Sequence, residues 1–306
     1  MYESPEFRLR VSAEKCHGAF TMTTEFLPPP PLPPWLEEEL PFNRRVFADG
    51  DHTIHFIDEG EGTPVLLLHG NPTWSYLWRK VIRILAWEKV RVIAPDLVGL
   101  GLSSKPRDPR THTLDFHANR ISALVEALDL DNITIAGQDW GGPIIAVMAA
   151  RNRERIHGAV FSNTAIRVPY RPPRRTAFHR FSHLPVVSDL VFRGLIFPIQ
   201  ILHLAQGDRT SIGRWERRAY RWPLRAFRDR VAPLALARLV PQSIDSPTFR
   251  TLREADSWAR SFPGPVRLVW GMRDPILGRA LKGVRELFPD ATVVETDAGH
   301  FLQEEV

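Results

Sequence analysis

The chain has 306 residues and a mass of 34.9 kDa, with 43% hydrophobic and 25% charged residues. That balance supplies a core for one large α/β domain, with or without an inserted lid, and excludes disorder of the whole chain. The single cysteine, Cys16, excludes a disulfide framework and a cysteine-built zinc cage, while a net charge of +5 and a pI of 9.7 make nucleic acid or an anionic surface partners to be weighed.

Residues 1–21 carry charges throughout, have no apolar run, and precede a second methionine, Met22. They read as a floppy extension or as a product of start-site choice, not as a secretory signal. Residues 28–34 are nearly all proline and predict an extended polyproline segment. Residues 1–41 are therefore expected to form an irregular extension, with ordered structure from about Phe42.

From there strands and helices alternate. Residues 52–58 alternate in the manner of an edge strand. Residues 64–68 and 90–94 are continuous apolar runs, as buried parallel strands are. Residues 114–128 have helical apolar spacing, 132–136 predict a third buried strand, and 142–151 a helix. Further strands are expected at 159–162, 266–270 and 292–295. This rhythm predicts a mostly parallel sheet flanked by helices, with the α/β core divided between 42–165 and 259–306. Residues 166–258 interrupt it with arginine, proline and helical spacing, and read as a helical cap over the strand ends, where open α/β sheets carry their sites. The longest greasy stretch, 186–205, is interrupted by Asp189, Arg193, Pro198, Gln200 and His203, so a spanning helix of about 20 apolar residues is not expected.

Four motifs follow strands directly. Gly137-Gln138-Asp139-Trp140-Gly141-Gly142 joins a strand to a helix as G-x-D-x-G, a nucleophile elbow with aspartate at its apex. Its glycines suit a tight, strained turn, and the helix N-terminus behind it offers free N–H groups. His69-Gly70-Asn71-Pro72 suits an oxyanion loop whose donor is the Asn71 backbone N–H. Asp274, in Trp270-Gly271-Met272-Arg273-Asp274-Pro275, stands where the acid of a triad belongs, and His300, in Asp297-Ala298-Gly299-His300, where its base belongs. Each motif has a blander reading as a turn. Together they give the order nucleophile, acid, base, each at the C-terminal end of a strand, which chance explains poorly.

These residues resemble the α/β-hydrolase family, and within it the haloalkane dehalogenases. The run Gly70-Asn71-Pro72-Thr73-Trp74-Ser75-Tyr76-Leu77-Trp78-Arg79 and the Asp139-Trp140 pair carry the specific part of the likeness, supported by Pro95-Asp96-Leu97 and Gly99-Leu100-Gly101-Leu102-Ser103. The resemblance runs from about Phe42 to the end and is weakest in the cap. It implies cleavage of a carbon–halogen bond in a small haloalkane, with water as cosubstrate, halide and alcohol as products, and neither metal nor organic cofactor. Asp139 would attack carbon as an anion that needs no deprotonation. The Trp140 indole and the Asn71 side-chain amide would hold the halide, and the backbone N–H groups of Asn71 and Trp140 the oxyanion. His300 would activate water, oriented by Asp274. Some members carry the acid one strand earlier. Here that position reads Phe161-Ser162-Asn163-Thr164, without a carboxylate, so Asp274 is preferred, with Asp297 as its rival. Members usually continue with one more helix, whereas this sequence has six residues after His300.

Epoxide hydrolysis is the nearest alternative. It shares the triad and would need two cap tyrosines, for which Tyr170 and Tyr220 are the candidates. A serine esterase is disfavoured by Asp139, and a non-catalytic binding protein by the complete Asp139, Asp274 and His300 set. His179 and His183 have i, i+4 spacing but no acidic companion, and Arg171, Arg174 and Arg175 read as a solvated face. Residues 166–258 hold 17 Arg, no Lys and 7 acidic residues, a net charge of +10, which leaves −5 for the remainder. The basicity lies in the cap. A cytoplasmic protein is expected, with no nucleic-acid or membrane partner.

Overall fold

The computed structural model describes residues 25–168, 177–241, 243 and 245–306, with only the backbone described at 177–179. Nine strands form one sheet: β1 (Glu25–Leu27), β2 (Arg44–Asp49), β3 (His52–Gly60), β4 (Thr63–Leu68), β5 (Val90–Pro95), β6 (Ile133–Gln138), β7 (Ile156–Ser162), β8 (Val266–Gly271) and β9 (Thr292–Thr296). Their order across the sheet is β1-β2-β3-β5-β4-β6-β7-β8-β9. The first three strands and β5 pair antiparallel, while β4 to β9 pair parallel. The central strands are apolar because both faces are covered: Leu66, Leu68, Ile93, Ile135 and Leu268 have no exposed surface.

Two expectations are corrected at the N-terminal side. Residues 25–41 are not irregular. β1 pairs with β2, a short helix α1 (Pro34–Glu37) follows the proline run, and Leu32, Leu36 and Leu40 are buried in the main core. The strand at 52–58 is not an edge strand either. It lies between β2 and β5, and His55 is fully buried. Its alternating polarity reflects buried polar pairing rather than solvent.

The remaining helices are α2 (Arg79–Leu85), α3 (Leu114–Ala127), α4 (Gly141–Arg151), α5 (Ala177–Ser182), α6 (Val187–Asp189), α7 (Arg214–Arg221), α8 (Val231–Arg238), α9 (Pro247–Ser261) and α10 (Leu281–Arg285). The Thr113 hydroxyl caps α3 by accepting from the Phe116 N–H at 3.0 Å. Between β7 and β8 the described residues form helices and turns and no strand. Residue 258 lies inside α9, which starts at a Ser246 cap with Pro247 at its first position. Phe249, Leu252, Ala255 and Trp258 bury one face of α9, and Trp258 packs edge-on against Phe161 and Phe288. By packing, this helix belongs to the α/β core.

The chain crosses from β4 to β5 on one side and returns to β6 on the other, so the strand order reverses at β4. Such a reversal opens a crevice at the strand C-termini. Asp96, just past β5, braces the loops there. Fully buried, it accepts from the backbone N–H groups of Ser75 and Leu102 at 2.7 Å and from His55 Nδ1 at 2.8 Å. His69 Nε2 accepts from the Leu97 N–H at 3.0 Å, which puts the ring proton on Nδ1, where it donates to the Gly70 carbonyl. Burial alone would raise the Asp96 carboxyl, but His55 and the backbone donors outweigh it and hold it down at about 2. A folded-state value below the unfolded one gives stability present above the unfolded value of 3.8 and lost as pH falls through about 2. Denaturant titrations of Asp96→Asn beside wild type should therefore show a stability gap that narrows below about pH 4. A gap that stays constant down to about pH 2.5 would count against this assignment.

Candidate active site

The loop between β6 and α4 sets Asp139 in a left-handed conformation, φ +50°. A non-glycine residue there is strained, and the strain lifts the side chain above the sheet. The turn closes because glycines surround it. A Cβ at Gly137 would come within 2.8 Å of Gly142 Cα, one at Gly70 would meet the Asp139 side chain, and one at Gly141 the Leu68 carbonyl. The Asn71 N–H donates to Asp139 Oδ1 at 2.8 Å, so the loops after β4 and β6 meet at this carboxylate.

His300 reaches the same point from the loop after β9. It is 1% exposed, with Nε2 3.6 Å from Asp139 Oδ2 and Nδ1 2.8 Å from Asp274 Oδ2. Its backbone N–H donates to the Ala205 carbonyl at 2.8 Å, which ties the loop to the cap. Burial by itself would lower the imidazole, but the Asp274 and Asp139 carboxylates more than offset it, and His300 is pushed up to about 10. Asp274 is held below the usual carboxylate range. Burial opposes this, but His300, the Ile276 N–H and the Asn163 amide outweigh it. Asp297, the rival acid, points away. Its side chain is 89% exposed and meets Arg273 at 3.5 Å.

Two residues at this site are not evident from the motifs. Asn163, φ +37°, donates from Nδ2 to Asp274 Oδ2 at 2.7 Å and accepts from the Gly271 N–H at 2.8 Å. It occupies the position one strand earlier where some members carry a carboxylate, and its amide braces Asp274, in the turn after β8, instead. Gln138, one residue before the elbow apex, donates to the His300 carbonyl at 3.0 Å and lies 3.3 Å from His300 Nε2. Only its place beside Asp139 could have drawn attention to it.

Asp139, Trp140, Asn71 and His300 line a cavity of about 810 Å³. Its walls are mostly apolar, from Pro143, Leu202, Phe249, Leu252 and Ile276 among others, with Arg167 and Thr248 as further polar members. Such a volume and lining suit a ligand larger than a two-carbon halide. The Asn71 amide donates to the Pro233 carbonyl of α8 at 3.0 Å, so its orientation depends on the cap. Neither Tyr76 nor Tyr220 lines the cavity. The Tyr220 hydroxyl instead donates to Glu304 at 2.6 Å. Tyr170, like Arg171, Arg174 and Arg175, lies outside the described residues. The His179 side chain does too, and His183 is exposed, with Nδ1 3.2 Å from Ser182 Oγ. Among the described residues no group of three or more His, Cys, Asp or Glu side chains is placed to hold a metal ion.

Comparison with known proteins adds to this geometry. Residues 63–187 match a family model described as alpha/beta hydrolase fold. Haloalkane dehalogenase 2 of Mycobacterium tuberculosis is 33% identical over 287 residues, covering 93% of this chain and 95% of the relative. Cis-3-alkyl-4-alkyloxetan-2-one decarboxylase of Shewanella oneidensis is 31% identical over 279 residues, covering 88% and 86%. Among solved structures, haloalkane dehalogenase DatA from Agrobacterium tumefaciens C58 superposes with a TM-score of 0.77 at 27% identity, covering 86% of this chain and 91% of that one. With an aspartate elbow beneath a helical cap, and with that likeness along nearly its whole length, the chain belongs to the haloalkane dehalogenase family of the α/β-hydrolase fold.

Proposed function

We propose that this protein hydrolyses haloalkanes through a covalent ester on Asp139. The observation that carries this reading is an aspartate carboxylate at the floor of an apolar cavity with His300 Nε2 3.6 Å from it. In the first step an Asp139 oxygen bonds to the substrate carbon as the carbon–halogen bond breaks, and the halide leaves with the electron pair. A bare anion in an apolar pocket needs donors, which the Trp140 indole N–H and the Asn71 amide supply. In the second step water attacks the ester carbonyl of Asp139, and His300 Nε2 takes the water proton. Asp274 steadies the resulting imidazolium, and the Asn71 and Trp140 N–H groups hold the oxyanion. The alcohol departs, the Asp139 carboxylate is restored, and the proton passes to solvent. Epoxide opening is not favoured, because no tyrosine among the described residues faces the cavity.

The test is halide release from a panel of bromo- and iodoalkanes of graded length, beside a styrene oxide control. Halide and alcohol are expected in equal amounts, with Asp139→Ala at least about 10³-fold slower and folded by circular dichroism. Epoxide opening without halide release from any member of the panel would overturn the reading.

The decarboxylase relative favours a second reading at the same site. If Asp139 displaced the ring oxygen of a strained four-membered lactone at its alkyl carbon, the leaving carboxylate would sit where the halide sits. Loss of carbon dioxide with expulsion of Asp139 would then give an alkene without any water step. Alkene formed in place of alcohol, undiminished by replacing His300, would select this reading.

A further inference from the structure

The cap presents an apolar face to solvent. Leu184, Val186, Val187, Leu190, Leu195 and Leu204 are 47%, 78%, 47%, 63%, 64% and 48% exposed, all within one stretch of 21 residues. Scattered exposed leucines are ordinary, but six exposed aliphatic residues concentrated in one short stretch mark a candidate interaction surface. The backbone there runs in two short arms, Val187–Gly194 and Ile199–Ala205, bent by 87°. No single described helix is long and apolar enough to cross a membrane.

The charge around this face is positive. Asp189 is the only acid between 184 and 205, and it is already engaged by Arg193 at 3.2 Å and Arg238 at 3.5 Å. The Arg193 guanidinium lies 4.4 Å over the Phe227 ring, which is itself 51% exposed. The next residue, Arg228, is 70% exposed and lies 3.9 Å from Asp229, while the buried Arg230 donates to the Arg193 carbonyl at 2.6 Å and holds that segment in place. A second copy of the chain is a poor occupant, because two caps of net charge +10 would meet face to face. Single-stranded nucleic acid favours aromatic stacking platforms, whereas the exposed large apolar residues of 184–204 are all aliphatic, with Phe227 alone at their edge. Aliphatic residues rimmed by arginines match an interface of acyl chains beneath anionic headgroups.

The cavity lies on the same side. Ile201 and Leu204 both line it and are 37% and 48% exposed, so its wall continues into the apolar face. We propose that the cap face built on residues 184–204 docks on anionic lipid bilayers, with the cavity opening towards the acyl-chain region. An apolar substrate that partitions into a membrane would then enter from the lipid. This departs from the expectation, drawn from the sequence, of a protein without a membrane partner. The docking itself does not depend on which reaction Asp139 carries.

The test is co-sedimentation of the full chain with vesicles of phosphatidylcholine alone and of phosphatidylcholine mixed equally with phosphatidylglycerol. Binding to the anionic vesicles is expected, at least about tenfold weaker for the Leu190→Glu, Leu195→Glu double variant and weakened by added salt. Neither leucine lines the cavity, so the double variant should keep its thermal midpoint and its turnover of a water-soluble substrate. Val186→Asp, changed alone, should also weaken binding. Failure to sediment with anionic vesicles, equal binding to the neutral ones, or wild-type binding by the variants would each overturn the proposal. So would a lipid-free dimer that the double variant abolishes, because a second copy would then be the occupant.

Discussion

His300→Phe is expected to stop the reaction halfway, with the alkyl group of the substrate left on Asp139 as an ester. In the proposed mechanism the first step uses only the Asp139 carboxylate and the halide donors, so it should survive the substitution. The second needs a base for water, and Phe has none. The resting geometry explains how one imidazole serves the second step without hindering the first. Beside two carboxylates, at 2.8 Å and 3.6 Å, His300 is pushed up to about 10 and carries its proton at neutral pH. Alkylation turns Asp139 into a neutral ester and removes one of the two carboxylates that raise the imidazole. Its pKa then falls, and Nε2 becomes a base at the stage that calls for one. Intact mass spectrometry of the variant after exposure to a bromoalkane should show one added alkyl group, and steady-state turnover should drop by roughly 10³-fold or more. Turnover without an adduct would remove His300 from the role of base. The same logic predicts that Asp139→Asn lowers the His300 pKa, readable from its imidazole resonances.

Local signals carried much of this architecture. The buried strands could be read because Leu66 to Leu68 and Val92 to Ala94 are apolar on both faces, and each ends in a glycine- or aspartate-bearing turn. The four motifs could be read because each is compact in sequence, and their side chains converge where the strand order reverses. Other features depend on distant partners. β1 is three residues long with a charged first residue, and only its pairing with Val46–Ala48 makes it a strand. β3 alternates as an edge strand does, yet its polar His55 faces Asp96 rather than water. Asn163 reads as a missing carboxylate until Asp274, 111 residues away, comes to accept its amide proton. Gln138 likewise acquires its partner from 162 residues away. The exposed aliphatic face of the cap is hidden in sequence, because 186–205 reads as an interrupted greasy stretch with no indication of which side lacks a cover.

The largest expected loss of stability comes from Glu304, which lies behind the site rather than in it. Its side chain is fully buried and receives Arg79 through two bonds of 2.6 Å and 2.8 Å, the Tyr220 hydroxyl at 2.6 Å and Lys80 at 3.2 Å. Arg79 is itself 3% exposed and stacks 3.8 Å over the Tyr76 ring. Glu304→Gln keeps the shape but removes the negative charge, which leaves a buried guanidinium that cannot deprotonate. Breaking a buried pair from one side costs about 3–5 kcal/mol, because the surviving charge stays desolvated. The cost should be visible as a lower denaturation midpoint. The turn that carries Glu304 follows His300 by four residues and anchors Gly299 through Glu305 at 2.8 Å, so the variant should also lose turnover by misplacing the imidazole. Replacing both partners, Arg79→Met with Glu304→Leu, removes the stranded charge and should recover much of the stability. A Glu304→Gln protein within about 1 kcal/mol of wild type would mean that water or Glu39, 3.7 Å from the Arg79 guanidinium, compensates Arg79, and that the pair contributes no more than an exposed one.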